Sequence, residues 1–388
     1  MKKNLFMVAA VALIATVSCN KEELANNDVQ GAASDIAFVA EFEQPGDGVE
    51  AAAPAAAQTK TALGSTTNDV TAVNWVANDK VSINGVEFTT TSSGAKATFT
   101  TTKTFDETAT KFDAIYPASA GTALTAVTIP ASQKGTFAEA AISVATSTTT
   151  SLSFKNLASI LKFRVPSACS TITITSTANL AGKVPVTFGS NGLPAIGTVS
   201  SASKTITLSG SFVTGKDYYV AVLPGSHKFT VRLDGYLSKA STTAVTTKRA
   251  VITNLKTLPA LVASAWRLVG KFDGKDKWDI SAGSIPMYKD EAANTYVAKD
   301  VTLTANDVWK FNKDNKWDEW VGSYSSSNSD SEVYKTMQNH TSSSNAYGTH
   351  HTWGDYKSNF GAAAGTYDIY LYVVANKYGD AKVWVVKK

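Results

Sequence analysis

Apolar and polar residues alternate with a period of two through most of the chain, in short runs broken by Gly, Pro and Asn. KVSING (80–85), VEFTT (86–90), ATFTT (97–101), ILKFRV (160–165), TITIT (171–175), TITLSG (205–210), YYVAVLPG (218–225) and KFTVRLDG (228–235) are such runs. That alternation sends successive side chains to opposite faces of a strand, and β-branched residues suit the pleated, half-buried surface. No stretch holds an amphipathic helical period. The pattern predicts an all-β chain of tandem antiparallel β-sandwiches, beginning with a strand over 36–42 and joined by turns at short intervals. The Ala-rich stretch 48–64, interrupted by Pro54, reads as tether or loop.

The pattern continues past Leu258-Pro259-Ala260, but the composition changes there: of eight tryptophans only Trp75 precedes this point. WRLVGKF (266–272), YVAKDVTL (296–303), VWKFNK (308–313), GTYDIYLYVV (365–374) and AKVWVVK (381–387) predict the strands of an Ig-like sandwich. Parity places Trp309 and Phe311 in the core and Lys310 and Asn312 outside. It also turns Ile369, Leu371, Val373, Val383 and Val385 inward, leaving Asp368, Tyr370, Tyr372 and Trp384 on the other face. Trp266, at a strand start, reads as core.

The N-terminus departs from alternation. Lys2-Lys3, an apolar run over 5–17 and Ser18-Cys19 form a secretory signal too short to span a bilayer. Thr16-Val17-Ser18-Cys19 resembles a lipobox, which implies a diacylglycerol anchor on Cys19. The following Asn20-Lys21-Glu22-Glu23 resembles the export tag that sends Bacteroidota lipoproteins to the exterior of the outer membrane. The expected organisation is a signal peptide (1–18), a lipidated tether (19–35), sandwiches over 36–165 and 166–258, and a C-terminal domain over 266–388. Removing Lys2 and Lys3 leaves 34 basic against 32 acidic groups, a balance with no electrostatic reason for a nucleic-acid partner. Cys169, the only other cysteine, reads as an unreactive thiol.

Candidate chemistry concentrates in residues 266–322, where Trp266, Trp278, Trp309, Trp317 and Trp320 stand among lysines, aspartates and asparagines. Aromatic faces match the C–H face of a pyranose, and amide, carboxylate and ammonium groups match its hydroxyls. A glycosidase needs two carboxyls flanking the scissile bond, and the adjacent Asp318 and Glu319 do not have that geometry. His340, His350 and His351 lack metal-ligand spacing. A binding protein without cofactor, metal or catalytic activity is expected.

Two family resemblances sharpen this. KTAL (60–63), VNWVANDKVSING (73–85), AIYPAS (114–119), VTIPASQKGTF (127–137), LSFKNLASILKFRV (152–165) and YYVAVLPG (218–225) resemble the fimbrillin family of surface lipoproteins. This implies two consecutive β-sandwiches with a boundary near Pro166. Polymerising members of that family are cleaved after an early arginine, and this chain has none before Arg164. WRLVGKFDGKDKWD (266–279), IPMYKDEAANTYVAKDVTLT (285–304), WKFNKDNKWDEWVG (309–322), NFGAAAGTYDIYLYV (359–373) and VWVVKK (383–388) resemble the starch-binding domains of SusE/SusF lipoproteins.

The second resemblance implies an α-glucan lying on two rings, Trp278 and Trp317, both expected in loops. Lys310 and Asn312 would bond the sugar hydroxyls, and Trp320 would enlarge the platform or fill the cleft. The 323–361 stretch, with Tyr324, Tyr347, Trp353 and Tyr356, is a longer connection than the family's. The implied partners are an α-glucan such as starch, the outer membrane through Cys19 and a SusC/SusD-like importer. The alternative is a fimbrial accessory or tip adhesin assembled by donor-strand exchange.

Overall fold

The computed structural model describes residues 36–43, 62–67, 70–278, 283–314, 316–322, 333–334, 349–352, 359–374 and 381–388. Cys19, the tether and most of the 323–361 stretch lie outside the described residues. Nearly every alternating run forms a strand, and the chain is all-β as expected. Helix among the described residues amounts to one α-turn, Phe137–Ala140, and two 3-10 turns. Pairing is mostly antiparallel, with parallel exceptions such as Phe38–Phe42 against Ser151–Asn156 and Ser159–Arg164 against Ile252–Thr257.

Seven strands close into a ring around the first core. They run in the order Phe38–Phe42, Ser151–Asn156, Ser143–Ser147, Phe112–Tyr116, Lys80–Ile83, Val86–Thr90 and Lys96–Thr100. Phe38–Phe42 is paired along both edges. Phe42, Phe88, Phe99, Phe154 and Trp75 fill the interior. Trp75 stacks on Phe42 at 4.0 Å between centroids, and its indole N–H donates to the Ala40 carbonyl at 2.9 Å. The satisfied donor is what lets so large a side chain be fully buried.

A second core gathers Leu161, Phe163, Ile172, Ile174, Ile206, Leu208, Val220 and Val231 between small sheets. The largest of these sheets runs Tyr236–Ala240, Phe229–Leu233, Cys169–Ser176, Thr205–Phe212 and Ser132–Gln133. Its last member comes from between two strands of the ring. Val127–Ile129 likewise leaves the ring to pair with Ala181–Val184. The Gln133 side chain fixes this crossing, donating to the carbonyls of Pro130 and Ala221 and accepting the Ala221 N–H at 2.9 Å. The expected boundary at Pro166 thus follows a strand, Ser159–Arg164, whose partners are Tyr218–Val222 and Ile252–Thr257. Where ring and second core meet, Glu43 takes Arg249 at 2.8 Å and the backbone and side-chain N–H groups of Asn156. Cys169 is half-buried in this unit. Burial and the Asp234 charge push its thiol up to about 11, so the reactive thiolate is suppressed at neutral pH.

The C-terminal strands wrap a third core of Trp266, Leu268, Phe272, Met287, Trp309, Phe311, Ile369, Leu371, Val383 and Val385. Ala263–Phe272 pairs with Val308–Lys313 on one edge. On the other it pairs with Lys275–Lys277 and then Ile285–Lys289. Thr295–Leu303, Gly365–Tyr372 and Lys382–Lys387 continue the sheet. The core needs a glycine at 270. A Cβ there would lie 2.1 Å from the Val308 carbonyl oxygen and 2.6 Å from Trp309 Cα, at a φ of +148°.

Candidate carbohydrate-binding face

Alternation along Val308–Lys313 holds as expected for the inward pair, since Trp309 and Phe311 are fully buried in the core. Lys310 and Asn312 occupy the opposite face, but they are not open to solvent. Lys310 is 8% exposed and Asn312 is 0% exposed. Val269, opposite Lys310 in register, is also fully buried and stands outside the core cluster. This outer face therefore carries a layer of its own, and the expectation of exposed hydrogen-bonding groups is corrected to supporting ones.

That layer includes Trp320. A tight hairpin at Asp314, whose φ of +55° is left-handed, turns Val308–Lys313 directly into Lys316–Gly322. Trp317 and Trp320 consequently lie on a strand, whereas Trp317 is expected in a loop from the sequence. The side chain of Trp317 lies outside the described residues. Trp320 is opposite Asn312 and only 6% exposed. The Lys310 ammonium sits 4.7 Å from the centre of its ring, a cation–π arrangement that occupies one ring face.

Trp278 is the half-exposed member. It follows Lys275–Lys277, whose register against the first strand ends at Gly270 opposite Lys277. Trp278 follows that last pair directly and lies outside the strand. Its backbone N–H donates to the Asp276 carboxylate at 3.2 Å. The chain rejoins that edge at Ser284, one residue before Ile285 pairs with Leu268. Arg267 reaches across to Ser284, donating through Nε to the hydroxyl and through Nη2 to the carbonyl at 3.0 Å. Asn312 is its opposite number on the other edge. Lys310, Asn312, Trp320 and Arg267 thus share one sheet face, and Trp278 follows the short strand that pairs along its edge. Sequence reasoning missed Arg267, although its parity within WRLVGKF is opposite to that of the core residues Trp266 and Leu268.

The strands Gly365–Tyr372 and Lys382–Lys387 present a second aromatic group. Tyr370 and Trp384, paired in register, stack at 5.0 Å with a 4° angle between planes, and Trp384 is buried. Lys299 lies 5.8 Å from the Tyr370 ring and 3.0 Å from Asp368, which also takes Lys388 at 3.1 Å. Burial pushes the Asp368 carboxyl up. Bonds from Lys299, the Asp300 N–H and Lys388 outweigh it and hold the group below its ordinary range. The second unit docks on this side: Arg232 forks onto Asp290 at 2.8 Å and Glu291 at 3.2 Å, and Tyr236 packs on Tyr288 at 4.6 Å. The Tyr236 hydroxyl accepts the Lys299 N–H at 2.9 Å. Among the described residues no group of three His, Cys, Asp or Glu side chains is arranged to hold a metal.

No family model and no curated protein matches the chain. Among solved structures it is similar to a "putative cell adhesion protein" from Bacteroides ovatus, with 12% identity. The likeness covers 58% of this chain and 92% of that one, with a TM-score of 0.33, and is too distant to carry an argument about function. Among the described residues no helix is long and apolar enough to cross a membrane.

Proposed function

We propose that this chain is a surface-anchored glycan-binding lipoprotein. The lipid on Cys19 holds it to the outer membrane, the first two units act as a stalk, and the C-terminal domain captures carbohydrate. The observation that carries the reading is Trp278: a half-exposed indole in a polar setting, directly after the short strand Lys275–Lys277. A pyranose stacks on that ring. Lys310, Asn312 and Trp320 form the floor beneath and beside it, and the family resemblance assigns the second ring to Trp317. The resemblance to SusE/SusF domains makes α-glucan the first ligand to test, with cleavage and import left to partners such as a SusC/SusD-like importer. Each such site is weak, and clustering of anchored copies along one polymer raises the effective affinity.

The test is affinity electrophoresis of the chain lacking residues 1–19 through gels containing starch, pullulan, dextran, xylan or mucin glycans. Retardation that Trp278→Ala abolishes is expected. Equal mobility in every gel would remove the carbohydrate reading and leave the adhesin. That second reading requires an exchangeable strand and SDS-resistant ladders; Phe38–Phe42, already paired on both edges, weighs against it.

A further inference from the structure

The arginines of this chain are Arg164, Arg232, Arg249 and Arg267. Three of them close on carboxylates: Arg164 on Asp217 at 2.6 Å, Arg232 on Asp290 at 2.8 Å and Arg249 on Glu43 at 2.8 Å. Arg267 does not. Its hydrogen bonds go to the hydroxyl and carbonyl of Ser284, both neutral, through Nε and Nη2, and it is half-buried. A guanidinium is always charged, and holding one partly out of water without a counter-ion is unfavourable unless something else supplies the negative charge.

Its position says what that partner is. Arg267 and Val269 lie on the same face of one strand, about 7 Å apart at two residues' rise, and Trp278 directly follows Lys277, which pairs with Gly270, the residue after Val269. Ser284 holds the planar group from one side and fixes its orientation. A sugar stacked on Trp278 would thus bring a ring substituent, or its neighbour along the chain, to the remaining N–H groups of the fork. We infer that Arg267 forms an anion subsite of the Trp278 face, and that the protein prefers glycans carrying a carboxylate or sulfate ester over neutral ones. The inference rests on the carbohydrate reading above and deepens it: a planar fork recognises a planar or tetrahedral oxyanion through paired, charge-assisted hydrogen bonds.

Three polymers with one backbone separate the cases: amylose, amylose oxidised to the carboxylate at C6, and sulfated amylose. Binding to the chain lacking residues 1–19 is measured by isothermal titration at low and high salt. Oxidised or sulfated amylose is expected to bind about tenfold more tightly than amylose, in line with a charged hydrogen bond. Which of the two wins identifies the oxyanion. Arg267→Ala should erase the preference while leaving amylose binding intact, Arg267→Lys should keep part of it, and Trp278→Ala should weaken all three. If Arg267→Ala fails to fold, the wild-type preference must still shrink as salt rises. Equal binding of all three polymers overturns the anion subsite and leaves the glycan reading standing. An Arg267→Ala loss that is the same for neutral and acidic polymers also overturns it, marking Arg267 as structural. Binding to none of them overturns both.

Discussion

Lys310 holds its ammonium 4.7 Å above the centre of the Trp320 ring, one strand over on a sheet face where both side chains are buried. A cation packed this way is part of the domain's architecture, and its removal should register in stability before it registers in binding. Lys310→Ala is expected to destabilise the C-terminal domain by about 1–2 kcal/mol, the range for a largely desolvated cation–π pair. Urea unfolding followed by tryptophan fluorescence measures this. An unchanged midpoint would mean that the ammonium is held elsewhere in solution.

Gly270→Ala should be far more severe. The added methyl would sit 2.1 Å from a carbonyl oxygen and 2.6 Å from the Cα of the facing strand, both of them backbone atoms. The cost is expected to be ~3 kcal/mol or more, the upper range for overpacking with backbone displacement. Thermal unfolding should show the C-terminal transition lost or shifted strongly downward, with the rest of the chain unaffected.

His227 makes the second unit acid-sensitive. The ring is fully buried, bonded to the Leu223 carbonyl at 2.9 Å and to the Ser176 hydroxyl at 3.2 Å. Burial lowers its pKa below the ordinary 6.5, partly offset by the bond to Leu223. The unfolded chain takes up the proton first as pH falls. The stability contributed by the neutral ring is therefore complete above about pH 6.5 and declines below it, until the folded-state pKa is passed. Denaturation midpoints at pH 7.5 and 5.5 should differ for the wild type and differ less for His227→Gln. An equal drop in both would assign the effect to other groups.

Arg232 joins the second unit to the C-terminal domain through Asp290 and Glu291, with side chains 24%, 19% and 55% exposed. Partly solvated pairs are weak, so a double-mutant cycle of Arg232→Ala with Asp290→Ala should return about 0.5–1 kcal/mol, reduced in high salt. Small-angle scattering should show a broader distribution of sizes for the variant. A coupling near zero would place the junction's strength in the Tyr236–Tyr288 contact.

The all-β class, the strand positions and the inward set of Trp266, Trp309, Ile369, Val383 and Val385 were legible in the sequence because alternation is a local property. What lies on top of a face is not local. Parity put Lys310 and Asn312 on the correct side of the sheet, but only the returning strand shows that Trp320 stands over that side. The Asp314 turn was misread because Lys-Asp-Asn-Lys is polar enough to pass for a longer loop. Its left-handed φ, which Asp tolerates, makes the hairpin tight. Arg267 escaped notice because an arginine in a strand looks like ordinary surface until its partners are counted. The exchange of Val127–Ile129 into the second unit was invisible for the same kind of reason: the run reads as a strand, and nothing within it names a partner more than fifty residues away.

That exchange constrains the order in which the protein can be made. The ribosome completes the seven-stranded ring at Asn156, while Ile129 and Gln133 still await the strands Ala181–Val184 and Thr205–Phe212. Until those emerge, a stretch destined for full burial is exposed in a half-finished chain, the circumstance in which nascent β-proteins aggregate. The two units mature together or not at all, and a chain cut at Pro166 is expected to yield an insoluble fragment, not a free-standing first domain.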